Sequence, residues 1–329
     1  MLISQIAQQQ LDYIYLYHLT NDSLFLERIK SILRILYRSD FPVDYYMRTL
    51  NVESRNWTNQ HLLWSQNELL STQLNLYLQS GDKWTHALEM FQHSVLFLDR
   101  SQLILEEGYH YYTREYYHDR QNNEDHYRMV MSVNACKLGA VFAQGALALQ
   151  QNFHLPQNET LFNRLWKFAE GLTENCQQAS YRTRTGLTPA MMNYYGKLFS
   201  DSATEVRFNS HYLSGHLAKS YFVLWRLTRD EKYRQYAWQL VQAIYRHCRA
   251  DECGGYSWVY NVNQIPTEMA NHQPPEFLSA TLKYLYLIFS DDSILPLDQW
   301  VFNSAGHPLP IAGKNIQYPA EIYSIINDH

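Results

Sequence analysis

A chain of 329 residues, 46% of them hydrophobic, is long enough to bury one large core or two ordinary ones. Its net charge of −5, with no basic run, argues against nucleic acid or an anionic membrane surface as a partner. No window approaches about eighteen consecutive apolar residues, so no transmembrane helix is expected, and the start, Met1-Leu2-Ile3-Ser4-Gln5, lacks the basic n-region of a signal peptide.

In chain order, a phrase recurs. It reads L-Y-H-L-T-N-D-S from Leu16, L-Y-L-Q-S-G-D-K from Leu76, L-W-R-L-T-R-D-E from Leu224 and L-Y-L-I-F-S-D-D from Leu285, with a weaker copy, L-A-L-Q-Q-N-F-H, from Leu147. The starts are separated by 60, 71, 77 and 61 residues. Each phrase closes an apolar helical run with a polar turn that opens another helix, so the repeating unit is a helical hairpin. An Asp or Ser in the turn can accept the free amide hydrogens of the second helix. Five such units with Gly- and Pro-bearing loops between them predict an all-α fold, an α/α toroid with inner helices around an axis and outer helices around them. The whole chain, residues 1–329, reads as one such domain.

Between the hairpins lie loops able to floor a cavity: Phe41-Pro42-Val43-Asp44-Tyr45-Tyr46 onward to Trp57 and His61, a tyrosine-rich run from Tyr109 to Tyr117 that includes Tyr112 and Glu115, Thr185-Gly186-Leu187-Thr188-Pro189, and Gly254-Gly255-Tyr256-Ser257. From Thr281, the residues Leu282, Leu285, Ile288 and Phe289 recur at helical spacing and predict one apolar face. Ser290-Asp291-Asp292 ends that helix. Asn303-Ser304-Ala305-Gly306-His307-Pro308, with Pro310 beyond, marks a loop that cannot continue as helix.

The wording of this last stretch resembles the end of the class I α-mannosidases, glycoside hydrolase family 47, where the final inner helix leads to a loop reading Asn-Thr-Glu-Ala-His-Pro. The likeness runs from about Phe25 to Ile311, dense after Cys176 and patchy before it. It implies an (α/α)7 barrel of which about five hairpins are present, incomplete at the N-terminus relative to the family. It implies trimming of α-1,2-linked mannose from high-mannose N-glycans, and a calcium ion held at the Thr position, here Ser304. It also implies a place in the lumen of the endoplasmic reticulum or Golgi, and a high-mannose glycan or glycoprotein as partner.

An inverting glycosidase needs two carboxyl groups about 6.5–9.5 Å apart, one to protonate the leaving oxygen and one to activate water. Against the family pattern the acids are largely replaced. The helix opening Arg-Pro-Glu reads Ser214-Gly215-His216; the Asp before Tyr-Tyr-Glu-Tyr falls on Trp64 or Ser65; Glu-Ser-Phe-Phe-Leu-x-Glu-Thr appears as Pro274-Pro275-Glu276-Phe277-Leu278-Ser279-Ala280-Thr281. The final-loop Glu is Ala305, the Glu after Thr-Gly-Leu-x-Pro is Ala190, and the His before the first matching Cys is Val133. The framework is kept and the acids are not, which is the pattern of a catalytically impaired relative. Glu68 and Glu115 are the acids left for catalysis, Glu68 being also readable as a paired or rim carboxylate and Glu115 as a solvated loop charge. His216, Phe277 and Tyr112 are the glycan-binding candidates, His216 being also readable as a structural histidine. Ser304 keeps two oxygens for calcium but lacks the surrounding carboxylates a hard cation wants.

Tyrosine abundance, 27 residues, suits sugar rings through apolar stacking and hydroxyl hydrogen bonds. Of the four cysteines, Cys136 and Cys176 fall where the resemblance places the family's disulfide, one on each helix of a hairpin; the residues alone also allow two buried thiols. Cys248 and Cys253 are close enough in sequence to bridge. The sequons at Asn21, Asn56 and Asn158 fit a luminal protein.

Overall fold

The computed structural model describes residues 3–37, 49–50, 57–58, 63–107, 110–119, 124–152, 158–195, 198–199, 209–251 and 254–316. Helices α1 (Ile3–Thr20) and α2 (Ser23–Tyr37) form a first hairpin, α3 (Leu63–Gln79) and α4 (Thr85–Arg100) a second, α5 (Leu138–Gln151) and α6 (Asn158–Tyr181) a third, and α7 (His216–Thr228) and α8 (Lys232–His247) a fourth. A π-helical turn, Phe277–Leu282, continues directly into α9 (Lys283–Leu287). Helices α1, α3, α5, α7 and α9 pack side by side in that order, and α2, α4, α6 and α8 each lie against their own hairpin partner. This is the expected α/α arrangement of an inner and an outer layer.

All five recurrent phrases fall at the ends of inner helices, and four of them show a capping oxygen in the turn. Asp22 Oδ1 accepts the amide of Leu24 at 2.9 Å, Ser80 Oγ accepts that of Trp84 at 2.9 Å, and Asp230 Oδ1 accepts that of Lys232 at 3.0 Å. The fifth phrase departs from the pattern. Asp291 Oδ1 accepts the amide of Ser293 at 2.9 Å in the same way, but no helix follows among the described residues. Pro296 soon removes an amide donor, and the chain instead forms an antiparallel pair, Trp300–Phe302 with Pro308–Pro310. That pair packs on α3 and α1, and Asn75 Nδ2 donates to Phe302 O at 3.0 Å.

The core is continuous from Leu11 on α1 to Ala312. Small residues let the layers approach: a Cβ added at Gly145 on α5 would stand 2.4 Å from the Phe91 ring of α4. Cys136, in a 3₁₀ turn (Val133–Lys137) leading into α5, is joined to Cys176 on α6. Cys248 is a buried free thiol whose pKa burial pushes up to about 12, so it does not bridge; Cys253 lies outside the described residues.

The last helix buries a different face from the one its spacing predicts. Leu285 and Ile288 are buried, but Leu282 and Phe289 are 38% and 40% exposed, and Phe277, Ala280, Thr281, Tyr284 and Leu287 fill the interior. Leu282 closes the π-helical turn, whose wider period sets it off the face of Leu285, and Phe289 lies beyond the end of α9 at Leu287, so neither shares the face a 3.6-residue count assigns it. Phe289 packs edge-on against Trp238 of α8 at 6.2 Å. The tyrosine-rich run is also more regular than a loop, forming strands His110–Thr113 and Glu115–Asp119, the first paired with Ile104–Glu107 and the second with Glu124–Arg128.

Candidate functional site

One end of the inner ring opens into a cavity of about 370 Å³, lined by the start of α3, the 3₁₀ turn before α5, the first turn of α7, the π-helical turn and the loop after Phe302. Glu68 comes from α3, Lys137 from the end of the 3₁₀ turn, His216 and Lys219 from the first turn of α7, Tyr284 from α9 and Ser304 from the final loop.

The final loop holds its shape through Asn303. Asn303 Oδ1 accepts the amides of Ala305 at 3.0 Å and His307 at 2.9 Å, and Nδ2 donates to Asp12 Oδ1 at 3.0 Å. Gly306 has φ +81°, and a Cβ there would lie 2.5 Å from the Ser279 carbonyl oxygen, so only glycine closes this turn. Lys283 Nζ then donates to Gly306 O at 2.7 Å. The result fixes Ser304 against Glu68.

Glu68 is the hub of the cavity. Its Oε1 accepts from the Lys137 ammonium and its Oε2 from the Ser304 hydroxyl, so both oxygens are engaged. The side chains of Lys137 and Glu68 are only 5% and 12% exposed. Burial alone would raise the Glu68 carboxyl, but the Lys137 charge, hydrogen bonds from Lys137 and Ser304, and the nearby His216 outweigh it and hold the pKa at about 2. His216 is kept neutral: burial, then Lys137 and Lys219, press its pKa to about 3 against the pull of Glu68. Burial and then Lys137 lower Lys219 to about 8, which leaves it mostly an ammonium at neutral pH. Burial, followed by the Glu68 charge, raises Tyr284, whose neutral hydroxyl has no hydrogen-bond partner among the described residues.

The candidates named from sequence divide cleanly. Glu68, His216 and Ser304 meet in the cavity, together with Val133, Ala280 and Ala305, three positions where the family pattern carries other side chains. Glu276 lines the cavity from an exposed position. Phe277 is fully buried, its ring 5.1 Å from that of Tyr256, and Tyr112 is 4% exposed in the core, so neither is among the lining residues. Glu115 opens its strand opposite Arg128, and its side chain lies outside the described residues, as does that of Trp64. Sequence reasoning missed Lys137, Lys219 and Tyr284. A signal was present for the lysines: each interrupts an apolar run, Ala135-Cys136-Lys137-Leu138 and Leu217-Ala218-Lys219-Ser220, and Lys219 stands three residues after His216, on the same helix face.

This cavity offers two carboxylates, the buried Glu68 and the exposed Glu276, with two ammonium groups, a neutral imidazole and several hydroxyls. The charge adjoining Ser304 is the Glu68 carboxylate, whose other oxygen takes the Lys137 ammonium, and among the described residues no group of three or more His, Cys, Asp or Glu side chains converges. No helix of the described residues is long and apolar enough to cross a membrane.

Comparison with known proteins places this geometry. A profile described as glycosyl hydrolase family 47 matches residues 1–311, beginning earlier than the Phe25 at which the family's wording first becomes readable. Mannosyl-oligosaccharide alpha-1,2-mannosidase IA of Drosophila melanogaster is 32% identical over 320 residues, covering 96% of this chain and 45% of that protein. The enzyme of the same name from Spodoptera frugiperda is 30% identical over 328 residues, covering 97% of this chain and 46% of that protein. The chain thus spans about half the length of these curated relatives. The solved alpha-1,2-mannosidase of Trichoderma reesei shares the fold, with a TM-score of 0.78 at 16% identity over 94% of this chain and 66% of that one. Hairpin ring, disulfide, final loop and profile agree: the chain belongs to glycosyl hydrolase family 47.

Proposed function

We propose that the chain is a mannosidase-fold sugar-binding protein with impaired glycosidase chemistry, its cavity receiving a glycan or glycoprotein of the secretory lumen. The observation that carries this reading is the state of Glu68. A general acid must be protonated at working pH and a general base must have a pKa near it. A carboxylate at about 2, with both oxygens engaged by Lys137 and Ser304, serves as neither. Glu276, the other carboxylate among the described lining residues, is exposed to solvent.

The donor set around Ser304 fits calcium poorly. A hard divalent ion needs six to eight oxygen ligands with carboxylates close by, whereas here the carboxylate beside Ser304, that of Glu68, already accepts the serine hydroxyl on one oxygen and the Lys137 ammonium on the other. The competing reading, turnover of α-1,2-linked mannose using Glu68 and Glu115, is supported by family membership across residues 1–311. Incubation with a high-mannose oligosaccharide and millimolar calcium separates the two. The expected result is binding without mannose release; calcium-dependent, chelator-sensitive release faster than about 1 per second, ordinary for an enzyme, overturns the proposal.

A further inference from the structure

We infer that the ligand of this cavity is an anionic sugar, one bearing a carboxylate or a phosphate ester, with the Lys219 ammonium at the start of α7 as the receptor of its charge. The inference rests on reading the cavity as a sugar site and adds the charge of the sugar.

The lining carries two ammonium groups and two carboxylates, but only one pair of them meets. Lys137 is matched by Glu68 in a buried pair, and Glu276 stands in solvent. Lys219 is 7% exposed and lines the cavity, yet its ammonium makes no hydrogen bond or ion pair among the described residues. A cation largely withdrawn from water without a hydrogen-bond partner is costly, and Glu68 does not hydrogen-bond it because Lys137 and Ser304 hold its two oxygens. An incoming oxyanion would complete the set.

The helix that carries Lys219 points the same way. Gly215, which precedes α7, has no side chain to cap it, and Gly215 and His216 both line the cavity. The first amides of a helix have no acceptor within it and carry partial positive charge, which favours an anion there. For the sugar itself, Tyr212 lines the cavity with 43% of its surface exposed, and its ring rests 5.1 Å from that of Trp258. A ring braced in this way offers an apolar face for stacking.

Calorimetric titration of the chain with mannose, mannose 6-phosphate, mannuronate and inorganic phosphate tests the inference. At least one anionic sugar should bind about tenfold or more tightly than mannose, and which of the two does so separates phosphate ester from carboxylate recognition. Lys219→Gln should bring that sugar down to the level of mannose, and Lys219→Arg should keep most of the preference, with thermal unfolding confirming that both variants fold. The ranking in the unaltered chain decides by itself if they do not. Anionic sugars binding no tighter than mannose overturn the inference while leaving the sugar site standing; absence of binding by every sugar overturns both. Inorganic phosphate binding as tightly as mannose 6-phosphate also overturns it, since the site would then read an ion and not a sugar. Mannose release from an oligosaccharide bears only on the impaired chemistry.

Discussion

Cys136 and Lys137 are neighbours, as are Ser220 and Lys219, and in each pair one residue serves the packed core and the other the cavity. Around the disulfide the core-side polar groups are matched. Cys136 is bonded to Cys176, Ser220 Oγ donates to Cys136 O at 2.6 Å and accepts the Ala140 amide at 3.0 Å, and Thr173 Oγ1 donates to Ala169 O at 2.8 Å. On the cavity side charges are crowded, and both the Lys219 ammonium and the Tyr284 hydroxyl lack partners among the described residues. The contrast separates two demands. The core residues are what the ring of hairpins needs to form, whereas the cavity charges add nothing to its packing and cost free energy. Groups retained at a cost in a cleft are candidates for function.

The sharpest way to break this contrast is to unpair the hub. Lys137→Met leaves the Glu68 carboxylate buried without its cation and should destabilise the chain by about 3–5 kcal/mol in chemical denaturation. Adding Glu68→Gln should recover most of the loss, because removing both charges of a buried pair is close to neutral. A double variant as unstable as the single one would show that the pair, and not the orphaned charge, carries the stability.

Cutting the core side should cost slightly less. Replacing Cys136 and Cys176 by Ser frees a loop with a sequence separation of 40 and should lower stability by about 2–4 kcal/mol. The cavity should keep its sugar ligand in that variant, since the disulfide sulfurs are not among its lining residues.

Acid sharpens the comparison from a third side. His211, near the cavity but in the core, donates Nδ1–H to Thr188 O at 2.8 Å, and burial presses its pKa from 6.5 to about 4. The unfolded chain therefore takes up a proton that the native state refuses, so the contribution of His211 to stability falls as pH drops from about 6.5 to about 4, by up to roughly 1.4 kcal/mol per unit, alongside the likewise depressed His18 and His216. His211→Asn should flatten that part of the pH profile of the denaturation midpoint; an unchanged slope would mean that other groups govern it.

The smallest expected effect is that of calcium. A ligand binding only the native state stabilises it by RT ln(1 + [L]/Kd), so at 1 mM calcium a millimolar site adds only about 0.4 kcal/mol and a nanomolar one about 8 kcal/mol. Thermal unfolding with calcium and with chelator should give nearly superimposable curves, and an upward shift of several degrees would mean that oxygen ligands beyond Ser304 complete an ion site.

The hairpins, their order and the ends of all five inner helices were legible from the sequence because they depend on near neighbours. Apolar spacing fixes a helix face within a few turns, and a turn oxygen such as that of Asp22 or Asp230 caps an amide two residues away. The disulfide pair, Glu68, His216 and Ser304 were legible through the family's wording. The face of the last helix was not, since neither the π-helical turn that ends at Leu282 nor the end of α9 at Leu287, before Phe289, leaves a mark in a 3.6-residue count. Nor was the charge state of the cavity. Residues 68, 137, 219 and 304 are far apart along the chain, and only the closing of the ring sets an ammonium on Glu68, a serine on its other oxygen and a second ammonium beside them with no partner among the described residues. Spacing along a helix says which side a residue faces; burial and Coulomb interaction depend on what other helices bring to that side.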